Sequence, residues 1–190
     1  RMPDAAHSDL FIKQTDSEAV LPLTTGPGWA AWPAWSPDGQ TLAFVRGDAR
    51  GSSLCTVSSL GGTLRTLLPL TSLVDGLDWS PDGTRLLLIT PGPNGSDDLW
   101  FLPVDGTGEP EPFLNSQFGE VDGSFSPDGR GIAYRSNETG NFEIYVRSTE
   151  GPGKWQISDG GGWQPHWSGD VGTLFFRNHE GLNAIEVEAV

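Results

Sequence analysis

Trp35-Ser36-Pro37-Asp38-Gly39 returns as Trp79-Ser80-Pro81-Asp82-Gly83, as Phe125-Ser126-Pro127-Asp128-Gly129 and, altered, as Trp167-Ser168-Gly169-Asp170. The serines lie 44, 46 and 42 residues apart, a near-fixed period in the range that marks a repeat architecture. The local chemistry gives each copy a role. Serine opens a turn through its hydroxyl, proline presets φ, aspartate tolerates the second central position, and glycine takes the left-handed conformation that bulges the chain back into a strand. The aromatic before each turn therefore ends one strand, and the apolar run after it begins the next. In the fourth copy Gly169 stands where proline belongs and Val171 where the left-handed glycine belongs. A β-branched residue resists positive φ, so Gly172 is expected to take that role.

Working outward, Thr41 to Arg46, Arg85 to Thr90, Ile132 to Arg135 and Thr173 to Arg177 follow the anchors directly. A third run follows each serine by 17 to 19 residues: Leu54 to Val57, Leu99 to Leu102, Ile144 to Arg147 and Ile185 to Val187, with a fifth relative at Asp9 to Lys13. Leu64 to Leu68, Glu111 to Leu114 and Lys154 to Ile157 supply a fourth, to which Ala19 to Leu23 corresponds. Four antiparallel strands per period make the blade of a β-propeller, with strand A innermost and strand D at the rim. The fold class is therefore all-β. The chain reads as one repeat domain over 1–190, with a partial blade at 1–24, blades at 25–69, 70–114 and 115–158, and an incomplete blade at 159–190. Either the strand at 19–23 completes the last blade in a four-bladed ring, or the chain is an arc of a six- or seven-bladed propeller. The arc is favoured, because four blades sit at the small end of the known range. An open arc exposes apolar blade faces, which invites self-association of the isolated fragment.

Composition agrees. Glycine (26) and proline (15) are spread between short apolar runs, and no helix-length periodic segment occurs. The net charge of −14 repels phosphate backbones and anionic lipid, which argues against a nucleic-acid partner or direct membrane contact. The single cysteine, Cys55, excludes an internal disulfide and takes the place of an aromatic in sister strands, so it reads as a small buried hydrophobe. No stretch approaches the ~20 apolar residues of a membrane span, and residues 1–7 lack a signal peptide's apolar region. Localisation is thus unknown from the residues themselves. Asn94-Gly95-Ser96 and Asn137-Glu138-Thr139 match the glycosylation pattern but read as loop chemistry.

The anchors and their flanking strands resemble the WD40-like Pro-Asp repeats of TolB-type propellers. The segment from Asp98-Leu99-Trp100 through Ser136-Asn137-Glu138-Thr139-Gly140-Asn141-Phe142-Glu143-Ile144-Tyr145 to Gln164-Pro165-His166-Trp167 is similar to the propellers that follow the kinase domain and membrane span of bacterial serine/threonine protein kinases. That resemblance implies a non-catalytic, extracytoplasmic sensing or interaction module with a protein or peptide partner. The alternatives it leaves are the substrate-gating propeller of a prolyl-oligopeptidase-like serine peptidase and a TolB-like periplasmic scaffold.

No Gly-x-Ser-x-Gly elbow accompanies His7, His166 or His179, and no kinase signature is present, so no catalytic residues are expected. The aspartates of the turns at Ser36, Ser80 and Ser126 are structural, since one carboxylate per turn supplies too few metal ligands. The loops from strand D to the next strand A vary within a constant frame. They hold Trp29 and Trp32, then Asp75 and Asp78, then Glu120 and Asp122, then Trp163, Gln164 and His166. Aromatic platforms beside carboxylates suit a cationic or peptidic ligand, while the structural alternative packs the tryptophans between blades. No cofactor is expected, with calcium shared by Asp75, Asp78, Glu120 and Asp122 as the remaining possibility.

Overall fold

A computed structural model describes residues 7–92, 95–169 and 172–187. The three intact turns are built alike. The serine hydroxyl donates to the aspartate two residues on, at 2.6 Å (Ser36–Asp38), 2.6 Å (Ser80–Asp82) and 2.7 Å (Ser126–Asp128), and accepts the N–H of Thr41, Arg85 or Gly131. The aspartate in turn accepts the N–H of Gln40, Thr84 or Arg130. Gly39, Gly83 and Gly129 close the turns at φ +66°, +72° and +74°. In the fourth copy Gly172 is left-handed at φ +124°, and the Ser168 N–H still reaches the Thr173 carbonyl at 2.9 Å, as Ser36 reaches Thr41. Val171 and Asp170 lie outside the described residues, as does Asn94 of the first glycosylation-like triplet.

The chain packs as two compact units, Arg1–Leu73 and Val74–Val190. In the first, β1 (Phe11–Lys13) and β2 (Val20–Pro22) form a two-stranded sheet. A four-stranded antiparallel blade follows: β3 (Trp29–Trp35), β4 (Thr41–Asp48), β5 (Gly51–Ser58) and β6 (Arg65–Leu70). Leu10, Ile12 and Leu23 of the hairpin pack on Leu42, Phe44, Cys55 and Val57 of that blade. Burial pushes the Cys55 thiol above its ordinary value, as befits a core residue.

The second unit holds a blade of β7 (Gly76–Trp79), β8 (Arg85–Pro91), β9 (Asp97–Pro103) and β10 (Glu111–Leu114). It continues with β11 (Glu120–Phe125), β12 (Gly131–Ser136), β13 (Glu143–Ser148) and β14 (Lys154–Gln156). The last sheet has three strands, β15 (Trp163–Trp167), β16 (Thr173–Asn178) and β17 (Gly181–Glu186). Alternation along β12 and β13 serves two interfaces. Ile132, Tyr134 and Tyr145 face Leu87, Ile89 and Leu99 of the preceding blade, whereas Ala133, Ile144 and Val146 face Trp167, Leu174 and Phe176 of the following one. Burying a side chain of this size stabilises by about 1.5–3 kcal/mol, so the stack of blades is itself the core.

These are the sheets of a β-propeller: three four-stranded antiparallel blades flanked by two partial ones. Among the described residues, β2 is in register with β1, Ile12 opposite Leu21. The anchor aromatics Trp79, Phe125 and Trp167 are buried, but Trp35 is 48% exposed. Trp167 shows what Trp35 lacks: it packs on the B and C strands of the preceding blade, and its indole N–H donates to Ser124 O of that blade's inner strand at 3.2 Å. Among the described residues, the strands ahead of β3 are those of the β1–β2 hairpin.

Candidate functional site

In the second unit the inner strands β7, β11 and β15 lie side by side, β11 in the middle. The repeat brings equivalent positions together on them. Two residues before each anchor serine stand Asp78, Ser124 and His166, and four before stand Gly76, Asp122 and Gln164, with Ala34 and Trp32 at these places in the first unit. Asp122 and Gln164 adopt left-handed backbone, φ +56° and +55°, as does Trp32 at +54°. Each sits where the pairing of A with B slips, after Val121, Trp163 and Ala31. A β-bulge re-aims a side chain, and non-glycine residues held at positive φ concentrate at functional sites. Gly76, the one glycine in this series, stays outside that region in a regular ladder opposite Ile89. A Cβ there would meet Ile89 Cδ1 at 2.6 Å, so packing accounts for it.

Asp78 ties β7 to β11. Its Oδ2 accepts the Phe125 N–H at 2.8 Å, its Oδ1 accepts the Trp79 N–H at 3.0 Å, and the Ser124 hydroxyl bonds to the same carboxylate. Burial raises the Asp78 carboxyl above its ordinary value against the pull of these donors and of nearby His166. Asp78, Ser124 and His166 are the residue types of a hydrolytic triad, yet the hydroxyl is engaged by the carboxylate rather than by an imidazole, so the order of bonds a nucleophile needs is not present.

Asp122 reaches the next blade in the same manner. Its carboxylate accepts the Gln164 N–H at 3.4 Å and lies 3.6 Å from the Arg135 guanidinium, which stacks 4.4 Å over the Phe142 ring. Trp163 meets His179 edge-on at 5.1 Å, while Gln164 and His166 are exposed. In the first unit Trp32 is 43% exposed, whereas Trp29 lies against Gly47, whose Cβ would fall 2.4 Å from the indole. Trp29 is thus committed to packing and Trp32 is available.

The four carboxylates considered for calcium do not converge. Asp78 and Asp122 are engaged as described, Asp75 is exposed, and among the described residues no group of three or more His, Cys, Asp or Glu is placed to hold a metal ion. Glu120 is buried, with Oε1 accepting the Ser116 hydroxyl at 2.5 Å. Burial and the charge of Asp98 raise its carboxyl above the ordinary value.

Asp98 escaped the sequence reading, although a signal exists. An acid precedes the repeated C-strand leucine or isoleucine at Asp9-Leu10, Asp98-Leu99 and Glu143-Ile144, and a hydroxyl follows the D-strand residue at Leu23-Thr24 and Ile157-Ser158. These form a clasp: Thr24 donates to Asp9 and accepts the Leu10 N–H, and Ser158 donates to Glu143 and accepts the Ile144 N–H. Gly160 and Gly161 N–H groups complete the Glu143 site. Burial acts first to raise Glu143, but these donors outweigh it and hold the carboxyl below its ordinary value. The corresponding hydroxyl position beyond Leu114 is exposed Asn115.

The match to known proteins follows the repeat. Residues 9–189 match the family described as TolB beta propeller domain. Tol-Pal system protein TolB of Anaeromyxobacter dehalogenans is 28% identical over 156 residues, covering 82% of this chain and 33% of that protein. An uncharacterised peptidase, YuxL, of Bacillus subtilis is 38% identical over 88 residues, 45% of this chain and 13% of the peptidase. The crystal structure of TolB from Acinetobacter baumannii superposes with a TM-score of 0.76 at 18% identity, over 96% of this chain and 49% of that one. The chain thus spans a third or less of the length of these two curated relatives. No helix among the described residues is long and apolar enough to cross a membrane. With three Pro-Asp anchors and an altered fourth, blade sheets and a family match over nearly its whole length, the chain belongs to the TolB beta propeller domain family.

Proposed function

We propose that this chain is a non-catalytic binding module that takes a protein or peptide ligand on the rim where strands D lead into strands A. The observation that carries this reading is the pair of left-handed, non-glycine residues Asp122 and Gln164 on neighbouring inner strands, with exposed His166 beside them. Backbone strain of this kind costs about 1–3 kcal/mol per residue and persists where side-chain placement is selected. The net charge of −14 supports a ligand with basic groups and opposes nucleic acid. We read the module as part of a longer bacterial protein and as an arc of a larger, extracytoplasmic propeller. The resemblance of residues 98–167 supports attachment to a serine/threonine kinase as its sensor. A second reading, the gating propeller of a serine peptidase, is favoured by the 38% identity with YuxL, and a scaffold role by the likeness to TolB. A kinase domain upstream or a hydrolase domain downstream in the full reading frame separates these. The binding claim itself is tested by selecting peptides from a displayed library and measuring their affinity for Gln164→Gly and His166→Ala. Losses of about tenfold or more with no lowering of the melting temperature support the rim, and binders indifferent to both substitutions refute it.

A further inference from the structure

Asp98 is 0% exposed, and neither carboxylate oxygen has a hydrogen-bond partner. Glu120, 3% exposed, has Oε2 in the same condition, as are Ser136 Oγ and Tyr134 Oη on the neighbouring strand β12, where Ser136 stands opposite Glu120. No Lys, Arg or His among the described residues forms an ion pair with Asp98 or Glu120. The charged groups that act on them are acidic: Asp97 on β9, itself facing Asp75 ahead of β7, and Glu138 of the β12–β13 loop, whose own partner is Lys154. Asp98 also lies against Gly92, where a Cβ would fall 1.9 Å from Oδ2, so its carboxyl is held in place by its own hairpin. An ionised Asp98 with no donor cannot be kept in such a setting beside an ionised Glu120 that has a hydroxyl donor on Oε1 alone, because desolvation is poorly compensated and their mutual repulsion adds to it.

The sister blades show what is missing. Where Asp9 and Glu143 each receive a Thr or Ser hydroxyl, Asp98 has Asn115 at the hydroxyl position, pointing to solvent. Glu120 occupies the repeat position of Gly162, whose Cβ would lie 2.9 Å from the clasp hydroxyl of Ser158. A glutamate side chain there is directed at the place the absent hydroxyl would fill. We propose that Asp98 and Glu120 form a proton-binding site in the folded chain, the carboxylic acid of one replacing the Ser or Thr hydroxyl of the sister clasps, so that loss of the proton loosens the 115–119 segment that leads into β11.

The sign follows from burial. Both carboxyls are raised above their ordinary values in the fold, so the stability they contribute is present at acid pH and is lost as pH rises through the folded values. In urea unfolding from pH 4.5 to 8.5, the wild-type unfolding constant is expected to rise with pH, by at most about tenfold per unit for one proton, until the folded chain itself gives up that proton. Asp98→Asn, which keeps shape without the ionisation, flattens the profile, and Asn115→Ser, which restores a hydroxyl, flattens it as well. Carboxyl-carbon NMR titration places the Asp98 or Glu120 midpoint above the ordinary carboxylate range. A pH profile unchanged by both substitutions, or two NMR midpoints in the ordinary range, overturns the proposal. So does a Tm that rises with calcium chloride at constant pH in wild type but not in Asp98→Asn, which assigns the site to a metal ion.

Discussion

At the turn end of the blades in residues 74–190, Asp82 and Asp128 each accept a serine hydroxyl and a backbone N–H, and the left-handed residues that close these turns are glycines, Gly83 and Gly129. At the opposite end, Asp98 and Glu120 carry oxygens with no donor, and two non-glycine residues, Asp122 and Gln164, are left-handed. The same strands join the two ends, so chain connectivity does not explain the contrast. One end repeats because its hydrogen bonds must close each hairpin in the same way. The other varies because the ladder beneath already fixes its loops, which leaves side chains free to be chosen for other reasons.

The strongest way to break this comparison is through the anchor aromatics between the two ends. Truncating Trp167 to alanine empties a site walled by Ala133, Ile144, Val146 and Leu174 and is expected to destabilise by roughly 3–5 kcal/mol. Trp35→Ala, at an exposed copy of the same position, is expected to cost much less. Equal urea midpoints for the two variants would show that blade packing does not set the stability of the frame.

A smaller effect sharpens the contrast in backbone conformation. Gly83→Ala puts a Cβ on a residue at φ +72° and is expected to cost on the order of 1 kcal/mol or more. Gln164→Gly does the reverse at φ +55° and leaves intact the backbone N–H that Asp122 accepts. Relief of strain there offsets the entropy that glycine adds to the unfolded chain, so the change in stability is expected to lie between zero and a gain of about 1 kcal/mol. Thermal melts of the pair settle it: a marked loss for Gln164→Gly would mean that the rim strain is structural.

The smallest effect concerns acid. The Ser80 hydroxyl and the Thr84 N–H hold the Asp82 carboxyl below its ordinary value, and Asp38 and Asp128 are shifted in the same direction. Stability from these groups is present above the ordinary aspartate range and lost as pH falls through their folded values, opposite in sign to the buried acids. Unfolding midpoints between pH 2 and 5 are expected to drop less steeply in Asp82→Asn than in wild type. A steeper fall in the variant would contradict the turn chemistry.

The sequence made the frame legible because turn chemistry is local. Ser-Pro-Asp-Gly encodes its own hydrogen bonds within five residues, and the four strands between successive turns followed from spacing alone. Asp122, Gln164 and His166 were found as variable loop residues, yet their left-handed bulges were not, since a bulge depends on how strand A slips against strand B. Asp98 was hidden for a different reason: its significance lies in a hydroxyl that its blade lacks, visible only when Asp9–Thr24 and Glu143–Ser158 are seen bonded in space. Trp35 looked like its sister aromatics, but burial of that position is supplied by the preceding blade.

The bulges also decide what kind of reading a ligand can receive. The residue after each left-handed position is Pro33, Gly123 or Pro165, and proline brings no N–H to an open sheet edge. Where the Gln164 N–H could have been offered, Asp122 already accepts it. Strand addition, in which a peptide extends a sheet through main-chain bonds, is thereby discouraged along these inner edges. Selectivity then falls to individual side chains, and a family of such propellers can acquire new partners one blade at a time without disturbing the bonds that hold each blade together.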